Sequence, residues 1–197
     1  MSAGSSVRTT LQAIGAVTVL GLLAGAVYVG VFIPGRGFSA KEDPSQLEEL
    51  IARRARALAT PAGAREMKNP LAESEEALAA ARRHWVEHCA TCHALDGSGK
   101  TPIGQNLYPK APDMRAAATQ RLTDGELYSI IENGIRFTGM PAWGGQHSAE
   151  DNWHLVMLIR RLPKLSPEEL KEMEKLAAGN GTAQPHTHAP GTPPHKD

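Results

Sequence analysis

A chain of 197 residues with 21 basic and 21 acidic side chains carries no net formal charge, which excludes a basic nucleic-acid surface and leaves no strong sign to steer a charged partner. Only two cysteines occur, so there is no framework of structural disulfides. Aromatic residues make up 5% of the chain, a thin supply for the core of a globular part of about a hundred residues.

Residues 1–10 form a short amino terminus containing Arg8, and from Leu11 to Ile33 nothing charged appears. About 23 helical residues span about 34 Å, which matches the hydrocarbon core of a bilayer. Residues 11–33 are therefore expected to form a transmembrane anchor. The competing reading is a cleaved secretory signal with Ala24-Gly25-Ala26 as its processing site, but the apolar run continues past it through Val27, Val29, Val31 and Phe32. Arg8 lies before the run and Arg36 and Lys41 after it, so the distribution of positive charge does not fix an orientation.

Residues 34–68 read as a connecting segment. Asp43-Pro44-Ser45 offers helix-start chemistry, and Leu47, Leu50, Ile51, Ala55 and Leu58 then recur at helical spacing, with Glu49 and Arg53 one turn apart. The apolar stripe of this amphipathic helix is expected to pack on the following domain or on a partner. Ala59 to Lys68, with Pro61 and Gly63, reads as linker.

Residues 69–178 carry the chemistry. Asn69 as a cap and Pro70 at the first helical position are expected to open a helix presenting Leu71, Leu78, Ala81, Trp85 and Cys89 on one side. That helix delivers Cys89-Ala90-Thr91-Cys92-His93, which holds both cysteines. Two thiols three residues apart can each add to a vinyl group of one haem, while the adjacent imidazole reaches the iron. A disulfide or a thioredoxin-like redox pair would use the cysteines and leave the histidine idle. A zinc site would need a second pair of cysteine ligands, and the chain has no further cysteine. His84 and His88, on the same helix, have no nucleophile or carboxylate pair beside them and read as exposed or packed residues.

A loop through Asp96-Gly97-Ser98-Gly99, Pro102, Pro109 and Pro112 follows. Thr123 to Glu126 makes a capping box that Leu122 and Leu127 can staple, and Asn133-Gly134 stops the short helix it starts. Next comes Thr138-Gly139-Met140-Pro141-Ala142-Trp143. Glycine before Met140 permits close approach and proline after it fixes φ, so this loop can present a thioether at one place. Met114 and His147 are competitors as iron ligands, whereas Met67, Met157 and Met173 read as packing or surface residues. Ser148 to Asp151 starts a further helix whose Trp153, Val156, Met157 and Leu158 can cross the first helix near Trp85, ended by Pro163. Ser166 to Glu169 caps a last helix, to about Ala178, expected to pack outside the core.

In order and separation, the Cys89–His93 motif and the Thr138–Trp143 motif resemble those of a class I c-type cytochrome, and the likeness runs from His84 to about Leu162. The resemblance implies an all-α class I cytochrome c fold, here behind an N-terminal transmembrane helix. It implies one covalently attached haem c on Cys89 and Cys92, with His93 and Met140 as iron ligands. It also implies that a loop proline carbonyl, Pro102 or Pro109, accepts a hydrogen bond from His93. Haem is attached outside the cytoplasmic membrane in such proteins, which implies a single-pass protein with its amino terminus inside and its haem domain on the periplasmic or extracytoplasmic side.

Residues 179–197, glycine- and proline-rich, are expected to be a disordered tail whose His186, His188 and His195 bind copper or zinc weakly at most. The resulting expectation is a membrane-tethered electron carrier, not an enzyme, that shuttles single electrons between redox protein partners or membrane respiratory complexes. Two alternatives stand beside it: a haem subunit of a larger membrane oxidoreductase, and a haem-based gas sensor with a labile sixth ligand.

Overall fold

The computed structural model describes residues 3–36 and 39–179, and the tail histidines His186, His188 and His195 lie outside the described residues. The chain divides after Glu42 into two compact units. Among the described residues there are helices and turns and no strand, as expected of an all-α fold.

The first unit is helix α1, Ala3–Arg36. Its stretch Val7–Val31 is 25 residues long, apolar enough to cross a membrane, and exposed along its length. The helix starts earlier than the expected anchor and takes in Arg8. Thr18, inside the apolar stretch, donates its hydroxyl to the Ile14 carbonyl (2.9 Å), which satisfies a polar group within its own helix.

The second unit begins with α2, Gln46–Ala59, capped by Ser45 in a reciprocal box with Glu48. Glu49 and Arg53 form the expected pair. The apolar stripe, however, does not pack on the domain: no residue of α2 is buried, and Leu47, Leu50, Ile51 and Leu58 are exposed. What ties α2 down is polar, with Tyr108 donating its hydroxyl to Glu48 (3.1 Å) and Lys110 pairing with Asp43 (2.7 Å).

The expected linker contains a short helix, α3, Ala62–Glu66, with Ala64 buried. It packs on α7, Asp124–Asn133, where Gly125 lies so close that an added Cβ would collide with the Ala64 carbonyl oxygen. The first helix of the haem-motif region starts later than expected. Helix α4 spans Glu75–His84, and its cap is Ser74, whose side chain accepts from the Ala77 amide. Asn69 is used elsewhere: its side chain donates to the Trp153 carbonyl and accepts from the Leu71 amide, both at 3.0 Å. Asparagine and proline made a plausible start, but a tertiary contact claimed the asparagine.

From α4 the chain passes through a π-helical turn, Trp85–Cys89, into α5, Ala90–His93. A 3-10 turn, Gly104–Asn106, and α6, Ala117–Gln120, punctuate the long loop that follows. Helix α7 has the expected Thr123–Glu126 box and ends at Gly134, whose φ of 63° is one that glycine adopts without strain. Helix α8, Ala149–Arg161, starts at Ser148 and runs on through a 3-10 turn, Leu162–Lys164, containing Pro163.

The core is the crossing of α4 and its π turn with α8 and α7, built from Ala81, Trp85, Val86, Leu127, Ile131, Trp153, Leu155, Val156, Leu158 and Ile159. Met157 is also buried, in keeping with its reading as a packing residue. The last helix, α9, Pro167–Gly179, is not outside this core. Its Met173 is fully buried among these residues, and Arg82 of α4, 2% exposed, forms ion pairs with Glu169 and Glu172 of α9 as well as with Glu75. One methionine at the right register and one buried guanidinium turn a surface-like helix into part of the fold.

Candidate functional site

The π turn and α5 set the site. The turn closes with the Ala90 amide donating to the Trp85 carbonyl, which brings Cys89 to the end of one turn and Cys92 and His93 onto the next. Trp85 is 1% exposed and donates its indole Nε1–H to the Ala94 carbonyl (3.0 Å), so a fully buried core tryptophan fixes the end of the attachment turn. Sequence spacing, turn geometry and core packing thus converge on one short segment.

Both thiols are free. Burial, with Cys92 adding to it, pushes the Cys89 thiol up to about 12, and burial raises Cys92 as well. A dithiol redox centre shows the opposite, since its attacking sulfur is held as thiolate by a depressed pKa. His93 is 8% exposed, and burial pushes it down to about 4, so the imidazole is neutral and keeps a lone pair for a metal. Its Nδ1 is buried without a hydrogen-bond partner. Leaving such a group unpaired costs about 1–3 kcal/mol.

That orphaned atom also corrects an expectation. Neither Pro102 nor Pro109 accepts a hydrogen bond from His93 Nδ1; the Pro102 carbonyl instead takes the side-chain amide of Asn106 (2.8 Å). The proline-rich loop is held to the attachment turn by other bonds. The Gly99 amide donates to the His93 carbonyl (2.9 Å) and the Thr101 hydroxyl to the Cys92 carbonyl (3.2 Å). Farther along, Met114 donates its amide to the Gly97 carbonyl (2.8 Å), and Arg115 bonds Asp96 and Asp113 through its guanidinium. Met114 itself packs against the core, which accounts for it without a role as ligand.

Met140 sits on a loop between α7 and α8. Its carbonyl accepts from the Ile135 amide (3.1 Å), and its own amide donates to the Thr138 hydroxyl (3.1 Å). The loop is tied back to α7 where Trp143 and Gly144 donate to the Ile131 and Glu132 carbonyls (3.0 and 2.9 Å). Gly139 is pressed against Leu107, whose methyl carbons would stand 2.7 Å from an added Cβ. The methionine loop and the proline-rich loop therefore meet, although nothing in the sequence pattern links Leu107 to Gly139. Met140 itself is half-buried.

His147 is occupied differently. Its ring stacks on Trp143 (centroids 4.5 Å apart, 14° between planes), and Nδ1 lies 3.0 Å from His84 Nε2 and 3.3 Å from Asn152 Oδ1. His84 and His88 are not isolated helix residues: with His147 they form a cluster of three imidazoles. Burial lowers both His84 and His147, and the neighbouring histidines lower them further. Sequence reasoning missed this cluster. The four-residue spacing of His84 and His88 was its visible part, but the third member comes from a loop 63 positions beyond His84.

A donor set of two protonated free thiols, a buried neutral imidazole with an unpartnered nitrogen, and a thioether on a neighbouring loop fits a covalently attached haem iron in its chemistry. Residues 76–159 match the model of a family described as cytochrome c oxidase, cbb3-type, subunit III. No curated protein matches the chain. Among solved structures, a chain of the Kuenenia stuttgartiensis reducing HAO-like protein complex is similar, with 22% identity and a TM-score of 0.42 over 47% of this chain. The match spans 46% of that chain, under half of its length.

Proposed function

From the c-type cytochrome domain formed by residues 76–159, whose chemistry is electron transfer, we propose that the protein is a membrane-tethered carrier of single electrons holding one haem c. When bound, haem c supplies an iron that gains and loses one electron, with no bond made or broken in a substrate. Cys89 and Cys92 hold the group through thioether links, and His93 and Met140 ligate its iron. Burial keeps the His93 imidazole unprotonated and available to the metal. Trp85 fixes the end of the attachment turn from the core side. A thioether as second ligand favours the reduced iron and raises the potential relative to two nitrogen ligands.

The observation that carries this reading is the short passage from the π turn into α5 that brings Cys89, Cys92 and the buried His93 into one segment, with His93 Nδ1 unpartnered. The α1 stretch Val7–Val31 supports a tether, which raises the carrier's effective concentration near redox partners in the same membrane. In this reading residues 11–33 anchor the chain, residues 34–68 connect, and residues 69–178 face the extracytoplasmic side.

The test is to produce the full chain in cells able to mature c-type cytochromes. The expected product is red, keeps one haem per chain through acid–acetone extraction, and in its oxidised form has a weak near-infrared band from sulfur-to-iron charge transfer. Colourless protein overturns the reading. A haem that extracts freely overturns the thioether links, and a missing band overturns Met140.

The description of the matched family, which names an oxidase subunit, favours a second reading in which the domain serves as the haem c subunit of a larger membrane oxidoreductase. Purification from native membranes in mild detergent separates the two. A carrier elutes alone, whereas a subunit stays with its complex.

A further inference from the structure

The three-histidine cluster lies outside the proposed haem ligands and is used by nothing described above. We propose that His84, His88 and His147 form a second metal site, for a divalent late transition ion of the zinc and copper kind.

Each of the three residues offers one ring nitrogen, and these atoms all lie within 4.8 Å of one another. Two imidazole nitrogens on one zinc ion, with bonds of about 2.0–2.1 Å at tetrahedral angles, stand about 3.3 Å apart. His84 Nε2 and His147 Nδ1, at 3.0 Å, are already near that spacing. His88 supplies the third nitrogen from an exposed position. Its ring centroid is 4.7 Å from that of His84 and 4.9 Å from that of His147.

The backbone brings the trio together. His84 ends α4 and His88 lies in the π turn, while His147 sits just before the Ser148 cap of α8. The His147 ring stacks on Trp143, and its Nδ1, the atom facing His84, also lies 3.3 Å from the Oδ1 of Asn152, which is fully buried and donates its own amide to Glu132 (2.8 Å). An ion bound at Nδ1 takes the place of that Asn152 contact, while the stack on Trp143 keeps the ring where it is. His147 Nε2 is buried with no hydrogen-bond partner. Two of the three histidines are half-buried and one is exposed, so an ion held here has protein on one side and an open coordination position towards solvent. Imidazole suits zinc and copper, and copper(II) binds a given nitrogen set more tightly than zinc(II).

The experiment uses the full-length, haem-loaded protein, stripped with a chelator and dialysed against zinc chloride, with bound zinc counted per chain. Tail histidines are a competing source, so the variants are His88→Ala, His147→Ala, and a combined His186→Ala, His188→Ala, His195→Ala chain. Wild type and the tail variant are each expected to retain one zinc that both cluster variants lose, with the haem spectrum unchanged on zinc addition. Copper(II) is expected to displace that zinc. His88 is exposed, so His88→Ala reports on the site even where His147→Ala disturbs the fold. Zinc retained equally by wild type and His88→Ala, zinc lost only in the tail variant, or no zinc retained by wild type overturns the site. A haem spectrum that shifts with zinc shows the iron's own ligands to be the target, and overturns it too.

Discussion

The two loops that carry the proposed iron ligands are built differently. The segment on the histidine side, from Cys89 to Arg115, is anchored to the core where Trp85 holds Ala94, is cross-braced within itself by Gly99 to His93 and Met114 to Gly97, and has His93, Gly97, Ser98 and Gly99 buried. The loop on the methionine side is bonded mostly to itself, through Ile135, Thr138 and Met140, and is tied to α7 only where it returns at Trp143 and Gly144. Phe137 at its tip is 93% exposed. Local stability follows such differences, since segments with few buried contacts open at low cost. The histidine side is therefore the firmer mount, and under the proposed ligation the methionine side carries the ligand that can leave without unfolding the rest.

That contrast is open to direct attack. The largest effect is expected from replacing both cysteines, Cys89→Ala with Cys92→Ala, which should abolish covalent haem and leave a poorly folded domain. A haem-free double variant with wild-type helix content and a sharp thermal transition would show that the mount does not depend on the cofactor. Next in size is Trp85→Ala, which empties a core position 1% exposed and cuts the bond to Ala94. Truncation of a buried tryptophan costs about 3–5 kcal/mol, a large share of a small domain's stability. Denaturant titration of the holoprotein should register that loss, and a change below about 1 kcal/mol would mean that the turn is held by something other than the core.

Met140→Ala probes the other loop. Helix content and unfolding midpoint should stay near those of wild type, while the near-infrared band disappears, the potential falls, and the ferrous protein gains rapid carbon monoxide binding. Wild-type ferrous protein that already binds carbon monoxide rapidly would remove Met140 as a firm ligand and revive the gas-sensor reading. A Met140→Ala chain that unfolds would erase the contrast between the two loops.

Local chemistry was legible in the sequence where a signal is confined to a few residues. The helix starts at Ser45 and Ser148, the capping box at Thr123 and the glycine stop at Gly134 are written within single turns, and each forms. The crossing of Trp85 with the helix of Trp153 follows from helical periodicity in the same way. What escaped is long-range. Asn69 was drawn from a capping role to the Trp153 carbonyl, Ala64 was buried against α7, and Met173 and the Arg82 ion pairs drew α9 into the core. The same limit hid the imidazole cluster. His84 and His88 share one helical stretch and His147 does not, so no one-dimensional pattern joins them.

The smallest effect tests whether the histidine-side loop owes part of its order to charge. Arg115 bonds Asp113 and Asp96, and its hydrogen bond holds the Asp113 carboxyl below the usual carboxylate range. Asp96 is also held low: burial pushes it up, but bonds to Ser98 and the charge of Arg115 outweigh that. Because the folded values are depressed, the stabilisation is fully present above the unfolded value near 3.9 and is lost as pH falls through the folded ones. Arg115→Gln should therefore be less stable than wild type at pH 7, by under about 1 kcal/mol for a solvent-screened group of this kind. The two curves should converge as pH falls below 4. Stabilities that differ by the same amount at pH 7 and at pH 3 would assign Arg115 a packing role rather than an electrostatic one, and the firmer mount would then rest on its backbone bonds and on Trp85 alone.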